Sequence, residues 1–228
     1  MSTELNRVLR HCHLSRPLRV KIGLGLLPSS ILAHILVASV LWHPAFAVAQ
    51  KPDMVRIQTS AGAIDAAIDS GHAPLTAANF LRYVDQGFYD NGTFHRTVTR
   101  NNQPGARVKI EVIQGTISSS ERDMAFPPIE LESTAATGLR HIAGTLSMAR
   151  VGPNTATFDF FICLENAPAL DFGGQRNPDG QGFAAFGRVT KGMEIVRKIH
   201  ASNADGQKLV PPIKIISIVR ISPSSYLD

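Results

Sequence analysis

The alternation of apolar and polar residues beyond position 53 predicts a domain built mainly from short β-strands. The first two apolar runs are separated by a tight turn at Ala61-Gly62, which is typical of a hairpin. Nine short strands in one chain favour a barrel or a sandwich. The nine predicted strands are residues 54–60, 62–69, 93–98, 109–114, 128–131, 144–148, 159–164, 184–189 and 213–221.

Two segments have the periodicity of helices instead. The first begins near Pro74, which suits a first helical turn, and ends before Gly87, which suits a left-handed C-terminal cap. The second covers residues 193–200 and places its apolar side chains on one face. Polar stretches rich in Gly, Pro, Asn or Gln predict loops at residues 100–107 and 171–182.

The N-terminal part of the chain differs from the rest in charge and hydropathy. Five of the 23 basic residues but one of the 18 acidic residues lie in positions 1–49, and residues 22–50 contain neither kind. An apolar run at 22–41 is followed by two Ala-x-Ala sequences, ending at Ala47 and Ala49. We therefore expect residues 1–49 to be a secretory signal peptide and residues 50–228 to form one exported domain, periplasmic in a bacterium. The alternative is an uncleaved anchor in the inner membrane.

The composition excludes several classes of protein. The formal net charge of +5 is concentrated in the leader, and the remaining residues are nearly balanced, so a nucleic-acid partner is not expected. Beyond the leader, Cys163 is the single cysteine and the histidines are scattered. We therefore expect no internal disulfide, no metal site and no cofactor, and we expect a monomer.

Several short strings follow one another in the order and spacing of one protein family. The strings are Asn79-Phe80, Gly87-Phe88-Tyr89, Thr93-Phe94-His95-Arg96, Ile113-Gln114-Gly115, Gly144-Thr145-Leu146-Ser147-Met148-Ala149-Arg150, Phe160-Phe161-Ile162, Leu170-Asp171, Phe186-Gly187-Arg188-Val189 and Lys191-Gly192-Met193-Glu194. Through them the chain resembles the cyclophilins from about Met54 to about Ile221. The resemblance implies a closed eight-stranded antiparallel barrel capped by two helices. It also implies peptidyl-prolyl cis-trans isomerase activity on proline-containing polypeptides.

Isomerisation of an X-Pro bond needs no nucleophile and no metal, because the barrier of about 18–20 kcal/mol comes from amide resonance. A catalyst must grip the proline and stabilise the twisted amide with fixed donors. Arg96 matches the family's catalytic arginine, and Gln114 matches its pocket glutamine. In a regularly alternating strand, Arg96 and His95 would point to opposite faces. The remaining positions that match substrate-contacting residues are Met148, Ala149, Phe161, Leu170 and Phe183.

Several positions depart from the family pattern, among them Phe183, which stands where the family has a pocket histidine. Glu111 stands where the family usually has a pocket phenylalanine, Asp159 where it has a glutamine, and Ala169 where many members have tryptophan. The two carboxylates could pair with Arg96 and occupy it, or they could select basic substrates, whereas Phe158 could supply the missing apolar surface. The departures keep open a second hypothesis, a cyclophilin-like peptide-binding module or chaperone with little turnover.

Overall fold

The computed structural model describes residues 52–222, so the predicted leader at residues 1–49 lies outside the described part of the chain. Within it, no helix has the length and apolar character needed to cross a membrane. The described strands are β1 (Asp53–Thr59), β2 (Gly62–Ile68), β3 (Thr93–Val98), β4 (Val112–Thr116), β5 (Thr145–Met148), β6 (Phe160–Cys163), β7 (Ala185–Lys191), β8 (Ala204–Asp205) and β9 (Lys208–Ile221). The α-helices are α1 (Pro74–Asp85), α2 (Thr134–Thr137) and α3 (Met193–His200), and short 3-10 segments occur at Ser119–Met124 and Pro168–Leu170.

The strands form one closed antiparallel barrel. Their order is β1-β2-β7-β5-β6-β4-β3-β9, and pairing of β1 with β9 closes the circle. The two-residue strand β8 pairs only with the start of β9, as a small hairpin outside the circle of eight. The predicted eight-stranded barrel and its opening hairpin, β1 with β2, are therefore confirmed.

Three strand predictions differ from the structure for local reasons. The strand predicted at 128–131 is wrong: a single bridge joins Ile129 to Ala156, because consecutive prolines at 127 and 128 lack the N–H groups that a ladder needs. The strand predicted at 109–114 begins later, at β4, since the side-chain amide of Gln103 bonds both the N–H and the C=O of Ile110. Strand β9 begins five residues earlier than predicted and thereby brings its turn with β8 beside β3.

Helix α1 begins and ends as its sequence predicts, and a residue from a distant segment caps its N-terminus. Pro74 occupies its first turn, and Gly87 beyond its last turn has φ +70°, the left-handed conformation that glycine adopts without strain. The orphan N–H groups of Leu75 and Thr76 donate to the carboxylate of Glu132, at 3.1 and 2.7 Å. A distant carboxylate therefore caps this helix, a contact that local sequence cannot reveal.

Apolar side chains form two separate clusters, one inside the barrel and one on its outer face. The interior holds the rings of Phe80, Phe94, Phe160 and Phe186, and the apolar face of α3 packs against it as predicted. The outer cluster consists of Val98, Ile110, Val112, Phe161, Cys163, Ala167 and Leu170, with Ala149 and Phe183 packed against it. Because side chains alternate along β4 and β6, these strands supply both clusters.

Candidate functional site

The outer cluster forms the floor of a cavity of about 450 Å³ on the barrel wall. Arg96 on β3 lies opposite Gln114 on β4, and Gln114 lies opposite Phe161 on β6. The barrel register therefore places three of the predicted site residues in one row across three neighbouring strands, although they are far apart in the chain.

A β-bulge directs Arg96 into this cavity. The register of β3 shifts between Phe94 and Arg96 against both of its neighbours. Residues two apart on a regular strand share a face, yet Phe94 packs inside the barrel while Arg96 lines the outer cavity. The regular alternation assumed for this strand from the sequence is therefore wrong, and His95 is the extra residue of the bulge.

Two glutamines hold the guanidinium of Arg96. Its Nε and Nη2 donate to Oε1 of Gln207 at 2.9 and 2.6 Å, and its Nη1 donates to Oε1 of Gln114 at 2.9 Å. Burial lowers the pKa of Arg96, and the positive charge of Arg176 lowers it further. A guanidinium remains charged under such conditions, so Arg96 presents a fixed cation to the cavity.

The chain of contacts continues from Gln114 to Asp159. The Gln114 amide donates from Nε2 to Oδ2 of Asp159 at 3.1 Å, so both ends of that amide are oriented. Within residues 52–222, the other oxygen of Asp159 and Nδ1 of His95 are buried with no hydrogen-bond partner. Burial lowers the pKa of His95, and the negative charge of Asp159 opposes that shift.

The apolar end of the cavity is lined by aromatic and aliphatic side chains. The rings of Phe161 and Phe183 meet edge to face with centroids 5.3 Å apart, and Leu170 is fully buried beside them. Behind Phe161 stacks the ring of His141, which bonds Asp171 through Nδ1 at 2.7 Å and Ser147 through Nε2 at 2.9 Å. This rigid apolar pocket has the character needed to hold a proline ring.

Arg150 lines one side of the cavity, and four of its five guanidinium N–H groups donate hydrogen bonds there. Its guanidinium pairs with both carboxylate oxygens of Asp179, at 2.7 and 3.0 Å, and also donates to the backbone oxygen of Gly182. It lies over the ring of Phe183, 5.2 Å from the centroid. Arg150 therefore fixes the end of the 171–182 loop against the pocket.

The cavity brings together most, but not all, of the residues predicted from the sequence. Seven line it: Arg96, Gln114, Ala149, Asp159, Phe161, Leu170 and Phe183. Met148 points into the barrel interior instead, because it follows the alternation of β5. Glu111 lies outside the cavity lining and pairs with Arg100 at 3.4 Å. Phe158 also lines the cavity.

Three important residues in or behind the site were not identified from the sequence. Gln207 comes from the turn between β8 and β9, more than a hundred residues after Arg96, and no local pattern marks it. Arg176 lies in a loop that the sequence identified only as polar. His141 is one of the scattered histidines of the sequence, and only the structure shows that it is buried against Phe161.

The arrangement supplies donors without supplying a nucleophile or a metal centre. A guanidinium has five N–H donors, and three of those on Arg96 are used, which leaves one on each terminal nitrogen for a bound peptide. Among residues 52–222 no group of three or more His, Cys, Asp or Glu side chains is arranged to hold a metal ion. Cys163 is buried below the floor, and burial raises its pKa, so its thiol is unreactive.

Comparison with known proteins identifies relatives of the whole barrel. A sequence profile described as "Cyclophilin type peptidyl-prolyl cis-trans isomerase/CLD" matches residues 54–220. Peptidyl-prolyl cis-trans isomerase A of Dickeya dadantii is 41% identical over 160 residues, which cover 69% of this chain and 76% of that protein. Peptidyl-prolyl cis-trans isomerase B of Escherichia coli is 35% identical over 147 residues, covering 64% and 83%.

Solved structures show the same similarity. The crystal structure of a Cryptosporidium parvum cyclophilin-type peptidyl-prolyl cis-trans isomerase superposes with a TM-score of 0.59 at 25% identity, covering 75% of this chain and 98% of that one. A second structure of the parasite protein, in the presence of the dipeptide Ala-Pro, gives a TM-score of 0.58 at 25% identity, covering 74% and 99%.

Proposed function

Because the chain belongs to the cyclophilin-type peptidyl-prolyl cis-trans isomerases, we propose that it uses Arg96 to isomerise X-Pro bonds in proteins exported from a bacterial cell. It is an isomerase, and its substrates are proline-containing polypeptides. The proposal concerns the residues that act and the place where they act.

The hydrogen-bond partners of Arg96 are the observation that supports its proposed catalytic role. Within residues 52–222, the hydrogen-bond and ion-pair partners of Arg96 are the amide groups of Gln114 and Gln207, and no carboxylate pairs with it. Its charge is therefore available to a substrate. This supports turnover over the alternative of a peptide-binding module whose arginine is occupied by Glu111 or Asp159.

The mechanism follows from what changes as the amide twists. Loss of resonance localises the lone pair on the prolyl nitrogen. A hydrogen bond donated to that nitrogen is therefore stronger in the twisted state than in either planar isomer. The two remaining N–H groups of Arg96 can meet that lone pair and the neighbouring carbonyl oxygen. The pocket of Phe161, Leu170 and Phe183 holds the ring in place while the preceding residue rotates.

The leader supports the proposed location. A basic start, an apolar run without charges, and Ala-x-Ala sequences ending at Ala47 and Ala49 are typical of a cleaved secretory signal. We place the mature enzyme in the periplasm as a monomer, where it would act on exported chains as they fold. The alternative of an anchored enzyme on the outer side of the inner membrane would present the same domain to the same substrates.

Export is tested by producing the full chain, tagged at its C-terminus, in a Gram-negative host. Cell fractionation and mass spectrometry of the purified protein should find it in the periplasm, beginning at Val48 or Gln50. A double variant, Ala47→Asp with Ala49→Asp, should keep its leader and stay associated with the membrane. An unprocessed wild type would overturn the cleaved signal, and an unprocessed cytoplasmic protein would overturn export altogether.

Action on folding chains is tested with a reporter protein whose slow refolding phase is limited by X-Pro isomerisation. Catalytic amounts of the purified protein should accelerate that phase. Binding to the reporter without acceleration would contradict the proposed turnover and favour the peptide-binding module.

A further inference from the structure

A second guanidinium faces the cavity and has no assigned role. Arg176, in the 171–182 loop, lines the same cavity as Arg96 and is partly buried. Its Nη1 donates to the backbone oxygen of Val108 at 2.8 Å, which ties the loop to the segment before β4. The other guanidinium N–H groups of Arg176 have no hydrogen-bond partner among residues 52–222.

The two guanidiniums line one cavity, so their charges act on each other. The positive charge of Arg176 is the charge that lowers the pKa of Arg96, in addition to burial. Like charges in a partly desolvated groove destabilise each other, and salt in the solvent screens them less than it would at an open surface. An arrangement of this kind gains stability when an anion binds between the two cations.

The carboxylates around the cavity do not supply that anion. Each nearby acidic side chain already has a cationic or amide partner. Asp179 pairs with Arg150, and Asp171 pairs with His141 and Arg140. Glu111 and Glu165 pair with Arg100, and Asp159 accepts a hydrogen bond from Gln114. Asp159 is the one acidic residue that lines the cavity, and neither Arg96 nor Arg176 pairs with it among the described residues. Neither arginine therefore forms an ion pair among residues 52–222, and the single carboxylate of Asp159 leaves one positive charge of this pair in excess.

The surrounding surface extends the positive field. Arg107 and Lys109 are exposed in the segment between β3 and β4, and Arg107 lies beside the 171–182 loop. Clustered cations near a cleft attract anionic ligands. The sequence suggested a preference for basic substrates because of Glu111 and Asp159. Glu111 lies outside the cavity lining, so it does not support that preference.

We propose that the unpaired N–H groups of Arg176 bind an acidic side chain next to the substrate proline, with the charge of Arg96 adding attraction, so that the enzyme prefers X-Pro segments flanked by Glu or Asp. The inference rests on the proposed function, since it uses the peptide held in that cavity. A carboxylate accepts hydrogen bonds from a guanidinium in bidentate geometry, so it satisfies N–H groups that a neutral side chain leaves unpaired. The acidic group thereby contributes to substrate recognition, while the twist of the amide remains the task of Arg96.

The test compares kcat/KM among peptides that differ in one residue. One set carries Glu, Gln or Lys before the proline, and a matched set carries Glu, Gln or Lys after it. In at least one position the wild type should prefer Glu over Gln by roughly threefold to tenfold, the range for a partly exposed charge-assisted contact. Lys in that position should be the poorest substrate.

Variants then assign the preference to Arg176. In Arg176→Gln the ratio of kcat/KM for Glu over Gln should fall to near one, while Arg176→Lys should retain part of it. Arg107→Gln is the matched control, because it removes an exposed charge on the same side of the barrel but outside the cavity, and it should retain the ratio. A ratio measured within one preparation does not depend on the fraction of folded enzyme, so loss of stability cannot mimic the result.

Two outcomes would overturn the subsite. A wild type that turns over all peptides equally would exclude a preference, and an unchanged ratio in Arg176→Gln would assign the preference elsewhere. Both results leave isomerase activity intact, so they differ from failure of the proposed function, in which no peptide is isomerised faster than in buffer.

Discussion

Gln207 offers a sharp test of how the site is organised, because it acts only through Arg96. Its Oε1 accepts two of the three hydrogen bonds that orient the guanidinium, at 2.9 and 2.6 Å. Its own Nε2 donates to the backbone oxygen of Asn102 at 3.0 Å, so the side chain is itself held. Gln207→Leu keeps a side chain of similar size and removes the acceptor, which should leave Arg96 present but poorly oriented.

The size of the effect follows from these contacts. A hydrogen bond to a charged group contributes about 1.5–3 kcal/mol when buried, and the partly exposed site places the loss near the lower end. A loss of about 1.4 kcal/mol corresponds to roughly a tenfold decrease in rate. Since the proline is held by Phe161 and its neighbours, we expect the decrease in kcat, with KM changed by less than about threefold.

Peptide isomerisation measured at several substrate concentrations separates the two constants. Gln86→Leu is the matched control, because Gln86 is exposed at the end of α1 and takes no part in the cavity lining. The Nε–H resonance of Arg96, followed by NMR, gives an independent readout: it should be protected from exchange in the wild type and exchange rapidly in Gln207→Leu. An unchanged kcat, or a loss confined to KM, would refute a positioning role for Gln207.

Three further predictions concern stability and reactivity. A Cβ at Gly115 would lie 2.9 Å from the ring of Phe160, so Gly115→Ala should overpack the barrel, cost about 1–3 kcal/mol and lower the thermal midpoint by at least about 2 °C. Gly152→Ala, where nothing lies within 4 Å, is its control, and equal midpoints would contradict the packing argument. Burial lowers the pKa of His141, so below the ordinary value of about 6.5 the unfolded chain binds more protons than the folded one. Stability should therefore fall as the pH drops from about 7.5 to about 5.5, and His141→Asn should flatten that dependence; an equally steep dependence in the variant would assign it to another group. Thiol labelling mapped by mass spectrometry should find Cys163 unmodified in the native protein and modified in denaturant, and rapid native labelling would show that the floor opens.

The sequence predicted those parts of the fold that depend on local patterns. The two alternating runs joined at Ala61-Gly62 predicted the hairpin of β1 and β2, and Pro74 and Gly87 marked the ends of α1. Closure of the barrel and the assignment of Arg96, Gln114 and Phe161 to one site came from the family resemblance, whereas their row across three strands was seen only in the structure. Strand register depends on pairings between distant segments, which periodicity does not encode.

The parts that could not be predicted depend on contacts between distant segments. Gln207 reaches Arg96 because the turn of β8 and β9 lies beside β3, and Arg176 reaches the cavity because its loop is tied to Val108. The family resemblance predicts Glu111 near the substrate, but Val112 and Gln114 line the cavity, so alternation directs Glu111 away from it, where it pairs with Arg100. The bulge at His95 likewise arises from two neighbouring strands, and one strand's pattern cannot show it.

The central claim is that the available donors of Arg96 stabilise the twisted X-Pro bond. The most direct measurement is kcat/KM for cis-trans exchange of an Ala-Pro peptide, by exchange NMR, for the wild type, Arg96→Ala and the exposed-arginine control Arg107→Ala. Removal of preorganised donors at a transition state costs about 100-fold or more, so Arg96→Ala should lose at least that factor while still binding the peptide, and Arg107→Ala should stay near the wild type. Exchange as fast in Arg96→Ala as in the wild type would contradict the account.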